Sequence, residues 1–146
     1  MMMASVFPAD NRDHRRVRVL IVDDNPQVVK DLRQFLDLTG DMEIIGEASS
    51  GQEAVSLAAE LTPDVVIMDL EMPGMDGFQA TRLIKERGLA PRVVILSVHA
   101  NPENINRART AGADEFVVKG ANFKVLIHAI LGRNGSFGSV DQKKGM

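Results

Sequence analysis

The chain contains no cysteine. Disulfides and thiolate metal sites are therefore excluded. No apolar run approaches the roughly 20 residues of a membrane-spanning helix. Residues 1–16 lack the apolar core of a signal peptide. These absences place the protein in the cytoplasm and away from the membrane. Charge of one sign is also missing in excess. The net charge is -3, which gives no reason to expect a nucleic-acid or anionic-membrane surface. There is no internal repeat and no sign of a second domain. What is present is ordinary for a globular chain: 146 residues, 45% hydrophobic and 25% charged, enough for one core.

Residues 1–16 are unpatterned, and their basic residues Arg12, His14, Arg15 and Arg16 read as a solvated, disordered leader. Residues 17–131 alternate short apolar runs with helical periodicity. The expected strands are Val17 to Val22, Glu43 to Ala48 at a sheet edge, Val65 to Met68, Val93 to Leu96 and Glu115 to Val118. Between and after them, five stretches carry apolar residues at helical spacing. Asn25 with Pro26, and Asn101 with Pro102, suit helix starts. Gly40 is expected to stop the first helix. Phe78, Leu83 and Ile84 are expected to face inward from the third. Residues 132–146 are rich in Gly, Ser and Lys and read as a flexible tail or a truncated linker. Strands alternating with helices imply a parallel sheet covered on both faces.

Four of the five strands run into polar residues: Asp23-Asp24, Asp69, Ser97 and Lys119. In a parallel sheet the C-terminal strand ends share one edge, where ligands bind in open α/β folds. An aspartate after a strand is commonly an N-cap or turn former, and a lone Lys or Ser is commonly solvated. The joint pattern points to chemistry. Three carboxylates in one crevice repel one another and need a cation. Hard oxygen ligands favour Mg2+, which binds few carboxylates and also takes phosphate oxygens. Asp69 can then act as a nucleophile toward phosphorus. Lys119 offsets charge on the phosphoryl oxygens, and Ser97 supplies a hydrogen bond.

The acid pair Asp23-Asp24, Asp69 with Met72-Pro73-Gly74-Met75-Asp76-Gly77, Ser97, and Gly112-Ala113-Asp114 leading to Lys119 resemble the receiver domain of two-component response regulators. The resemblance spans residues 17 to about 131. It implies a flavodoxin-like three-layer sandwich with a five-stranded parallel sheet in the order 2-1-3-4-5 and five helices. It implies phosphorylation of Asp69 by a sensor histidine kinase or a histidine phosphotransfer protein. It also implies Mg2+ held by Asp24, Asp69 and the backbone carbonyl of Glu71, with Asp23 close by. Such a protein is a signalling switch rather than an enzyme, at most catalysing its own phosphotransfer and dephosphorylation.

Lys119-Gly120-Ala121 replaces the proline that many receivers carry after the lysine, and this is similar to the NarL/FixJ branch. Members of that branch usually carry a C-terminal LuxR-type helix-turn-helix. Too little chain follows the last helix for such a domain, so the alternative reading is the N-terminal regulatory fragment of a DNA-binding transcription regulator. This fragment is not expected to bind nucleic acid, and homodimerisation stays open. The resemblance further implies a switch pair, Ser97 and Phe116, with a plain core role for Phe116 as the bland alternative. Glu71 and His99 occupy positions that tune dephosphorylation and partner choice in the family, or are merely solvated loop residues. Met72, Met75 and Phe78 read as packing and turn support. Two other classes fit less well. A haloacid-dehalogenase-like phosphatase would have aspartate where Glu71 stands, and a flavin phosphate would be repelled by Asp23-Asp24.

Overall fold

The computed structural model describes residues 15–132. Most of the expected leader and tail, residues 1–14 and 133–146, lie outside the described residues. Strand β1 (Val17–Val22) leads to helix α1 (Pro26–Asp37), β2 (Met42–Ala48) to α2 (Gly51–Leu61), and β3 (Val65–Met68) to α3 (Gly77–Glu86). Strand β4 (Arg92–Ser97) precedes α4 (Pro102–Ala111), and β5 (Glu115–Val118) precedes α5 (Phe123–Leu131). All pairings are parallel, and the strand order is 2-1-3-4-5.

Period-two alternation divides the core into two layers. Leu20, Val22, Val66, Met68, Val93, Ile95 and Phe116 pack on one face with buried residues of α2, α3 and α4. Val19, Ile21, Val65, Ile67, Val94, Leu96 and Val117 pack on the other with α1 and α5. Strand β3 is buried at every position because both faces are covered, which is why it is a continuous apolar run.

Each helix begins on a side-chain cap. The Asn25, Ser50, Asp76, Asn101 and Asn122 side chains accept from Gln27, Glu53, Gln79, Asn104 and Lys124 backbone N–H groups. These bonds satisfy donors that a helix start leaves without partners. Helix α1 ends before Gly40. The Leu38 and Thr39 N–H groups donate back to Phe35 and Leu36 carbonyls, and Thr39 Oγ1 also donates to Leu36, so the last turn tightens first. Gly40 then takes the left-handed conformation in the turn, at φ 76°.

Helix α3 differs from expectation on its inward face. Gly77, Ala80, Thr81 and Ile84 are buried, whereas Phe78 and Leu83 are only half-buried. Gly77 is tightly seated, and a Cβ there would lie 2.1 Å from the Asp69 carbonyl oxygen. Phe78 still packs against the margin of the core layer under α3, with the Arg107 guanidinium over its ring at 4.0 Å.

Candidate functional site

The site is assembled by extending strand register past the strand ends. Val22 pairs with Met68, so Asp23 and Asp69 are the next positions on adjacent strands β1 and β3. The Asp69 N–H donates to Val22 O at 3.0 Å and the Asp23 N–H to Ala48 O at 3.0 Å, so both backbones stay tied to the sheet. Ser97 pairs with Val118, and the Lys119 N–H donates to Ser97 O at 2.9 Å.

The Lys119 ammonium lies between two carboxylates, 2.8 Å from Asp23 Oδ2 and 3.3 Å from Asp69 Oδ1. Asp23 and Asp69 are buried, and Asp24 is exposed. One carboxylate oxygen from each of the three lies within 4.8 Å of the others. Such a cluster of hard oxygen donors, with one face open to water, fits a small divalent cation.

Burial has the largest influence on the Asp69 carboxyl and pushes it above its ordinary value of 3.8. The Asp23 charge pushes the same way, while Lys119 and the Leu70 backbone N–H pull back without cancelling the rise. Burial alone would lower the Lys119 ammonium. The hydrogen bond to Asp23 and the charges of Asp69 and Asp23 outweigh it and hold Lys119 above 10.5. The crevice thus holds more negative charge than one lysine neutralises.

Ser97 is buried. Its Oγ accepts the His99 backbone N–H at 3.1 Å, which leaves its own proton available to donate. Phe116 is fully buried against the layer formed with α3 and α4. Ile95 pairs with Phe116 and Ser97 with Val118, so Ser97 and Phe116 are diagonal neighbours on one sheet face.

At the mouth, His99 Nε2 lies 3.0 Å from Glu71 Oε2, joining the β3–α3 and β4–α4 loops. Asn104 Nδ2 donates to His99 O at 3.0 Å, holding the same loop from α4. Sequence reasoning named Glu71 and His99 separately but missed their pairing and the part played by Asn104. Nothing in local spacing signals contacts between two loops. It named Gly77 only as part of the motif after Asp69 and missed its close approach to the Asp69 carbonyl.

The family model "Response regulator receiver domain" matches residues 19–131. The chain belongs to the response regulator receiver family. It is 33% identical over 112 residues to the nitrate/nitrite response regulator protein NarL of Escherichia coli (strain K12), covering 77% of this chain and 52% of that protein. It is 40% identical over 114 residues to the transcriptional regulatory protein LiaR of Bacillus subtilis (strain 168), covering 78% of this chain and 54% of that protein. The chain spans about half the length of these curated relatives. Among solved structures, the signal receiver domain of a response regulator NarL from Mycobacterium tuberculosis superposes with a TM-score of 0.77 at 32% identity. That superposition covers 82% of this chain and 96% of that one. The receiver is thus of the NarL/LuxR type, with the flavodoxin-like architecture and strand order expected from sequence. No helix among the described residues is long and apolar enough to cross a membrane.

Proposed function

We propose that this receiver accepts a phosphoryl group on Asp69 from a sensor histidine kinase or a histidine phosphotransfer protein. The observation that carries the reading is the convergence of Asp23, Asp24 and Asp69 around the Lys119 ammonium. An Asp69 carboxylate oxygen forms the new P–O bond as the donor's P–N bond breaks. The donor imidazole leaves with the electron pair and takes up a proton. Lys119 sits where it offsets charge on the phosphoryl oxygens, and Ser97 donates to one of them. Asp23, Asp24, Asp69 and the backbone carbonyl of Glu71 would hold Mg2+, whose chemistry is neutralisation of phosphoryl charge. No turnover of an external substrate is required, and the protein acts as a signalling switch in the cytoplasm. Residues 17–131 form the receiver unit.

The output follows from the Ser97–Phe116 diagonal. Drawing Ser97 toward a phosphoryl group loosens the layer in which Phe116 packs and alters the face of α4, β5 and α5. Moving a population from 1:99 to 99:1 needs about 5.5 kcal/mol, whereas one charge-assisted hydrogen bond contributes about 1.5–3 kcal/mol. Ser97 therefore acts with Lys119, or on a resting state already partly active. Glu71 and His99, bridged across the mouth, tune how long the phosphoryl group stays.

The similarity to NarL and LiaR over about half their length favours a second reading on output: the receiver part of a DNA-binding regulator, with nucleic acid bound outside these residues. Homodimerisation belongs to the same reading. Incubation with acetyl phosphate and Mg2+ followed by intact-mass measurement tests the phosphoacceptor. The wild type gains one phosphoryl group and Asp69→Asn gains none. Equal labelling of both refutes the assignment.

A further inference from the structure

We propose that the groove between α3 and α4 is a docking surface for an acidic segment of a partner protein. Charge in this chain is segregated. From Gly77 to Arg87 and from Pro102 to Ala111 there are five cations against two carboxylates, in a chain whose net charge is -3; Lys85 is paired with Asp114, and Arg82 and Arg107 are the two that line the groove. The two helices form a groove of about 480 Å³ lined by Phe78, Arg82, Glu103, Asn106, Arg107 and Thr110. Neither Arg82 nor Arg107 has a carboxylate partner among the described residues. Arg107 has Glu103 one helical turn before it, the spacing at which ion pairs form along a helix. It lies over the Phe78 ring instead, 4.0 Å from the centroid. The stacked guanidinium is held in place at little further entropic cost, and arginine offers a paired set of donors that matches a carboxylate.

The occupant is an acidic peptide rather than a nucleic acid. The Phe78 face is already covered by Arg107, so no free aromatic surface remains in the groove for a base to stack on. Glu103 stands in the wall and the chain is net negative, so two arginines hold a short segment with one or two carboxylates but not a long polyanion. Asn106 and Thr110 add hydrogen-bonding groups suited to a peptide backbone. A second groove of about 460 Å³ shares Phe78 and Arg107 but is lined by Glu71 and Asp76, so the acidic segment is confined to the Arg82–Arg107 side. Binding here does not depend on phosphorylation, and its test is separate.

The experiment is a ¹⁵N NMR titration of the full chain with a short synthetic peptide of alternating Glu and Leu. A Lys/Leu peptide of equal length and an oligothymidine are run in parallel. The expected result is saturable shift changes confined to α3 and α4 that shrink with added salt. The Arg82→Gln/Arg107→Gln double variant, both exposed positions, should bind about tenfold more weakly. Shifts spread over the other cationic surfaces overturn the proposal, as does equal binding by the double variant. Binding of the Lys/Leu peptide overturns it without any variant. Tighter binding of the oligothymidine at α3–α4 assigns the face to nucleic acid instead, and shifts that change with protein concentration before peptide is added assign it to self-association.

Discussion

Replacing Asp69 by Asn removes one negative charge from a crevice that holds three carboxylates and one ammonium. Two unit charges 4.8 Å apart repel by about 3.5 kcal/mol at an effective dielectric of 20. Lys119 at 3.3 Å attracts, but its pull on the carboxyl is smaller than the push from Asp23. Burial opposes the ionised form more than either neighbour does, and the balance leaves the carboxyl above 3.8. Asparagine keeps the shape and a carbonyl that accepts from Lys119 but carries no charge. In EDTA at neutral pH the variant should therefore be more stable, by about 1 kcal/mol, which corresponds to about 4 °C in Tm for a chain this size. The sign with pH follows from the raised carboxyl. Below 3.8 the group is protonated both folded and unfolded, and its charge costs nothing. The cost appears as pH rises through the folded value and is complete above it. The variant's advantage should grow with pH over that window and then level off. Mg2+ reverses the ranking or narrows it, because a ligand at 100 times its Kd stabilises by about 2.7 kcal/mol and the variant has lost one donor. Urea denaturation followed by circular dichroism, with EDTA or MgCl2 at several pH values, measures all of this. A variant less stable than wild type in EDTA, or an advantage that grows as pH falls, refutes the electrostatic account of the pocket.

Lys119→Met leaves Asp23 and Asp69 without their 2.8 Å and 3.3 Å cation, and stability in EDTA should drop by about 2 kcal/mol, less once MgCl2 is added. Since Lys119 is held above 10.5, wild-type stability from this group is complete below that pH and lost as pH rises through the folded value, a loss the Met variant lacks. Gly77→Ala should cost about 3 kcal/mol or more by chemical denaturation, because its Cβ meets the Asp69 carbonyl at 2.1 Å and neither backbone can yield freely. Gly74→Ala, at φ 76° with nothing within 4 Å, should cost only about 1 kcal/mol, and equal losses at the two glycines refute the close-approach argument. Ser97→Ala should slow labelling of Asp69 without abolishing it, and weaken the phosphorylation-dependent change in the α4–β5–α5 face, seen as smaller NMR shift differences at full labelling. Unchanged differences remove Ser97 from the switch.

Much of the site is legible in the amino-acid sequence. A strand buried on both faces is a continuous apolar run, so Val65 to Met68 announced a covered parallel sheet and put Asp69 at its edge. Four such edges carrying Asp23-Asp24, Asp69, Ser97 and Lys119 implied one crevice, because parallel strands end together. Caps were legible too, since Asn25 and Asn101 needed only their own neighbours to act. Period and punctuation are local properties, and the sequence by itself determined everything that rests on them: the element order, the sheet type and the strand-end residues of the pocket.

The tertiary structure decided how those residues meet. Register brings Asp23 and Asp69 into adjacent positions and sets Ser97 diagonal to Phe116. Gly77 seats α3 closely on the Asp69 backbone, and Phe78 packs at the margin of the core layer beneath Arg107. The path of two loops brings His99 to Glu71. None of these contacts has a period. Each depends on where two distant segments are carried by the sheet and by packing around it, and side-chain spacing within one segment holds no information about that.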